Sequence, residues 1–153
     1  MGFESGVEFR YVNSELKPLD IYVFYRFHES LDQFITSKTK CLDQQWKGSY
    51  LLTREFTELS YYKFKEVGNI LDKYPILDGL IDFSTDEPTK KGAKDFETIL
   101  LSLKGIGLEL DREELAYAIG PIANFWGFLK YIFHSDFFLH NEEKGQLIYW
   151  RSY

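Results

Sequence analysis

The chain opens on alternation and then moves to a longer period. Val7, Phe9 and Tyr11 fall on one face of an extended segment and Glu8 and Arg10 on the other, which predicts a half-buried strand over 7–12. Asn13 to Pro18 reads as a turn. The next segment, 20–27, is β-branched or aromatic on both faces, which predicts a central strand paired antiparallel with the first. Ser30 with Gln33 reads as a helix start, with Leu31, Phe34 and Ile35 as the apolar face. Leu42 and Trp46 resume that pattern and Gly48 ends it.

From Thr53 the period is clearly helical. Phe56, Leu59, Phe64, Val67, Ile70 and Leu71 form one stripe, widened by Tyr61, Tyr62 and Tyr74, and Pro75 stops it. Gly68 costs a helix interior about 1 kcal/mol relative to Ala, so it marks close packing or a break. The polar segment 82–92 reads as an exposed loop. Ala93 to Lys104 is a helix with Phe96, Ile99, Leu100 and Leu103 inward, closed by Gly105. Asp111 caps a short helix to Ala118, and Gly120-Pro121 starts another. This last helix, Pro121 to His134, is apolar almost all round, which suits either a central helix or one half of a homodimer interface. Segments 136–140 and 146–150 flank a polar stretch and predict a C-terminal hairpin. The sum is a single domain over 1–153 of the α+β class. Its small antiparallel sheet, an N-terminal hairpin plus a C-terminal hairpin, packs against four to five helices.

Composition sharpens this picture. Aromatic residues make 18% of the 153 positions, enough for a large core with rings left over for contacts. A net charge of -6 argues against a phosphate backbone as partner, since the short cluster Lys90, Lys91 and Lys94 is flanked by Asp86, Glu87 and Asp95. The one cysteine, Cys41, excludes an intrachain disulfide, and Leu42 and Trp46 beside it suit a half-buried thiol rather than a nucleophile. The start of the chain has neither a basic region nor a long apolar run, and Ile119 to Phe133 is interrupted by Asn124 and Lys130. A cytoplasmic protein that binds no membrane is therefore expected.

Candidate chemistry is sparse. His134, Asp136 and His140 would point one way on a strand and suit zinc or a base with its orienter. Phe137 and Phe138 intervene, however, and a structural role is favoured. No metal or cofactor is expected, because dinucleotide-binding, phosphate-loop, nucleophile-elbow and zinc-protease signatures are all missing. Two groups of carboxylates stand out: Asp82, Asp86 and Glu87, and then Glu109, Asp111, Glu113 and Glu114. Paired carboxylates serve glycoside hydrolysis, but helix starts also attract acids. The same groups make a negative face for a basic partner, with Tyr61 and Tyr62 as anchors. In general profile the chain is similar to small bacterial immunity and inhibitor proteins, a likeness of type that carries over no residues. The sequence thus points to an interaction module that neutralises a basic partner such as a toxin or nuclease domain, and to binding over catalysis. The alternative is a small-ligand binder or hydrolase, marked by an aromatic cleft holding at least two carboxylates.

Overall fold

A computed structural model describes residues 3–152, the side chains of Phe3, Tyr25 and Arg26 excepted. Strand β1 (Phe3–Tyr11) turns into β2 (Leu19–Phe27), and the two pair antiparallel as the alternation predicts. Val7 and Phe9 face inward. Five antiparallel strands form the main sheet in the order β2-β1-β7-β4-β3. With five helices and a second, two-stranded sheet among the described residues, the molecule is α+β.

Two strand assignments differ from the pattern. β2 lies at the edge of the sheet and not in its middle. Its inward rings, Phe24 and Tyr22, pack on Phe128, while Val23 on the other side is exposed. Two register shifts against β1 bend it, a common way of blunting a free edge. At the other end of the chain there is no hairpin. Residues 137–141 form a short helix, and a single long strand, β7 (Gly145–Ser152), pairs with β1 from end to end. A five-residue apolar segment fits either period, so the alternation there carried no information.

Helix α1 (Glu29–Thr36) starts just before the expected Ser30 and is capped by His28, whose Nδ1 accepts from Ser30 N at 3.1 Å; Ser30 is the capped residue and not the cap. The helix does not resume after Thr36. Short strands β3 (Lys40–Cys41) and β4 (Ser49–Leu51) follow. The Asp43 carboxylate folds the turn between them by accepting from Gly48 N and Ser49 N at 3.1 and 2.9 Å. Cys41 is half-buried, its Sγ 3.9 Å from Asp43.

Beneath α1, Asp32 is only 2% exposed. It accepts from the Tyr149 hydroxyl at 2.6 Å and from Arg151 Nη1 at 2.5 Å. Arg151 in turn donates to the Tyr50 hydroxyl and the Lys47 carbonyl. This network joins α1 to β7, β4 and the β3–β4 turn. Burial and the Asp32 bond together push the Tyr149 phenol far above its ordinary range. Ser5 Oγ, fully buried, makes no hydrogen bond of standard geometry.

Helix α2 (Arg54–Leu71) is capped by Thr53. A Cβ at Gly68 would run into the Trp126 ring, so this glycine marks close packing. Beyond a single 3-10 turn, β5 (Ile81–Asp82) and β6 (Glu87–Pro88) make the second sheet. Helix α3 (Ala93–Gly105) joins α2 through Tyr74 to Asp95 and Ser102 to Glu66. Helix α4 (Arg112–His134) runs unbroken through Pro121, so the expected break at Gly120 is absent. Its Ile122, Phe125, Trp126, Phe128, Leu129 and Ile132 are all buried, packed against β2 and α2. That makes α4 the central helix, with Tyr117 and Tyr131 on its exposed side. Asp136, with φ 51, turns the chain into α5 (Phe137–Asn141). Among the described residues, no helix is long and apolar enough to cross a membrane.

Candidate functional site

Two helices begin at one place. β2 ends there with Phe27 and His28, α1 starts with Glu29, and α4 starts with Asp111, Glu113 and Glu114. Between them lies an open cleft of about 610 Å³, also lined by Gln33, Tyr117 and Pro121. Each set of acids has a local cause, because the amide-rich start of a helix favours negative charge. At α4 this takes the form of a capping box. Asp111 Oδ1 accepts from Glu114 N at 2.7 Å, and Glu114 Oε1 accepts from Asp111 N at 3.2 Å. Folding then sets Glu29 across from Asp111, Glu113 and Glu114. Among the described residues no Lys or Arg lines this cleft.

Tyr117 stands on the wall, 60% exposed. The nearby Asp86 carboxylate, at φ 55 in the β5–β6 turn, raises the Tyr117 phenol above its ordinary range as an acceptor for the hydroxyl and as a negative charge, and Glu113 adds to it. Burial lowers the His28 imidazole below its ordinary value, with Glu114 pulling the other way. His28 Nδ1 accepts the Ser30 amide, so the neutral ring carries its proton on Nε2 and offers no basic nitrogen to the cleft. The arrangement attracts cations and donates few protons.

The predicted site residues divide between several places. Asp111, Glu113 and Glu114 line the cleft, and Asp86 reaches it through Tyr117. Glu87 lies on the same small hairpin, exposed. Asp82 serves its own turn, accepting from Ser84 N and Oγ at 3.0 and 2.6 Å; these bonds hold its carboxyl below the usual range. Glu109 lines a separate hollow beside Lys38 and Ser37. Tyr61 is buried, stacked between Trp126 and Phe133 at 5.2 and 3.9 Å, so its ring is not available to a partner. Tyr62 is exposed but lies against Phe133. Twenty helical residues separate Phe133 from Glu113, about 30 Å at 1.5 Å per residue. The expected acidic-plus-tyrosine site is therefore split between the two ends of α4.

His134, Asp136 and His140 lie on α4, on the joint and on α5, not on a strand. Among the described residues, no three His, Cys, Asp or Glu side chains gather as metal ligands would. His134 Nε2 instead lies 3.4 Å from the Tyr61 hydroxyl.

Sequence reading missed His28, Glu29 and Tyr117 as cleft residues. Tyr117 had a usable signal, since it follows Glu113 by four residues and so shares its helix face. His28 and Glu29 had none, because what aims them at α4 is the packing of two helix starts far apart in the chain. Compared with known protein families, curated proteins and solved structures, the chain matches none of them.

Proposed function

We propose that this protein is a binding module that neutralises a basic protein partner, in the manner of immunity and inhibitor proteins. It does so by seating a Lys- or Arg-rich segment of that partner in the cleft between α1 and α4. The observation that carries this reading is the convergence of Glu29, Asp111, Glu113 and Glu114 on one open cleft with no Lys or Arg among its described walls. A concave cluster of negative charge focuses the field, speeds encounter with a basic surface and repels acidic competitors. Tyr117, ringed on one side and polar at its tip, suits the role of anchor at the rim. The occupied Nδ1 of His28 favours binding over proton transfer.

The test is affinity capture from lysate at low salt, run in parallel with the wild-type protein and with the Glu29→Gln/Glu113→Gln/Glu114→Gln variant. The wild type should retain a basic protein. The variant should retain it at least tenfold less well, and raising the salt should release it. Equal retention by both proteins would sink the proposal.

One observation also favours a small-ligand reading. The cleft holds more than two carboxylates and has the volume of a ligand site. Thermal melts with amines, sugars and nucleotides separate the two readings. A compound that raises Tm in the wild type but not in the variant, with no protein retained in the capture experiment, would support the ligand.

A further inference from the structure

The far end of α4 carries a different surface. Leu59 and Tyr62 of α2 and Leu139 of α5 are exposed there, with half-buried Phe133 and Phe138 between them. Three hollows adjoin at Arg54, which lines each of them. The first, about 310 Å³, runs from Tyr62 past Phe133 and Phe138 to Leu139. The second, about 260 Å³, passes under α5 against Phe9 and Leu147. The third follows α2 along Leu59. The Tyr62 ring meets Tyr61 and Phe133 edge-on, at 5.4 and 5.5 Å between centroids. It is thus held in place before any partner arrives, which lowers the entropy lost on binding.

Charge decides what fits. Among the described residues, the ionised side chains lining these hollows are Arg54 and four carboxylates: Glu55, Glu58, Asp136 and Glu142. Arg54 pairs with Glu58 at 2.8 Å, and its charge is further favoured by Glu142 and Asp136. One cation against four anions leaves an apolar floor inside a negative rim. A second copy of the chain would bring the same negative rim against it. An anionic membrane surface would be repelled, because its lipid headgroups carry the same sign.

We infer that this surface docks an amphipathic basic helix of a partner protein. Its apolar side chains lie on Tyr62, Phe133 and Leu139, and its Lys or Arg side chains meet Glu58, Asp136 and Glu142. An apolar floor with flanking charge is how grooves receive helices, through anchors three and four residues apart. This contact does not rest on the acidic cleft, which lies at the opposite end of α4.

The probe is a synthetic leucine–lysine peptide patterned to put its leucines on one helical face, with a scrambled peptide of the same composition as control. Binding is read by fluorescence anisotropy on the full chain. The patterned peptide should bind at least tenfold more tightly than the scrambled one. Tyr62→Ala and Leu139→Ser, both at exposed positions, should each weaken binding roughly tenfold. Glu58→Gln/Glu142→Gln should weaken it and flatten its salt dependence. Glu113→Gln/Glu114→Gln should keep the preference for the patterned over the scrambled peptide, since both carry the same charge to the cleft, and this separates the apolar surface from it. The inference is overturned if both peptides bind alike, or if Tyr62→Ala and Leu139→Ser bind as the wild type does. It is equally overturned if the cleft variant alone loses the peptide, or if the protein prefers zwitterionic phosphatidylcholine vesicles to the peptide.

Discussion

A carboxylate removed from water needs donors close by, and Asp32 has two, the Tyr149 hydroxyl and the Arg151 guanidinium. Deleting one partner of such a pair leaves the others buried and unmet. Asp32→Ala should therefore cost about 3–5 kcal/mol in urea unfolding, far more than an exposed Asp at the same helix position. Nothing near Asp32 in the chain announces this, because its partners lie more than a hundred residues away. His28 acts within its own neighbourhood, capping α1 where the pattern pointed to Ser30 two residues on. Its imidazole is lowered by burial, so the unfolded chain binds that proton more readily. Stability is then fully present above the ordinary value of 6.5 and is lost as pH falls through the lowered one. Protonation also removes the lone pair that caps α1. Unfolding measured between about pH 7.5 and pH 5.5 should show this decline, and His28→Asn, which caps without titrating, should flatten it.

Helices whose start signals are local came through well. Thr53 caps α2 and Asp111 caps α4, because a cap needs only residues three positions apart. Short apolar sets did not. Leu42 with Trp46, and Phe137 with Phe138, fit a strand or a helix equally, and the choice falls to a side chain such as Asp43 or to what covers the segment. Proline at position 121 looked like a break, yet packing on both sides of α4 holds the helix through it. At Gly68 the packing itself is the requirement, since α4 approaches α2 closely enough to seat Trp126 there. Gly68→Ala gains intrinsic helix propensity but must displace the indole. It should destabilise by about 3 kcal/mol, measured by thermal melting, and should weaken the bond from Trp126 Nε1 to Asp72.

At the scale of the whole molecule, the first and last strands are neighbours. β7 also carries β4, so the sheet has no middle until the end of the chain is in place. Removing residues 145–153 strips β1 of one partner and exposes the inner faces of Val7 and Phe9. The truncated chain should show no cooperative thermal transition and should bind a hydrophobic dye. Pairing across nearly the full length of the chain also sets a slow folding rate for a domain of this size.

What the residues determined by themselves is whatever depends on near neighbours: the alternation of β1, the caps of α2 and α4, the α+β class, the negative charge and the ringed core. Only the tertiary structure decided which carboxylates face one another, that Tyr61 is buried while Tyr117 is exposed, and that β2 is an edge. The reason is physical. Periodicity and capping act over one or two turns, while a cleft's charge and a ring's exposure depend on which distant segments meet, and that is set by burial of the core.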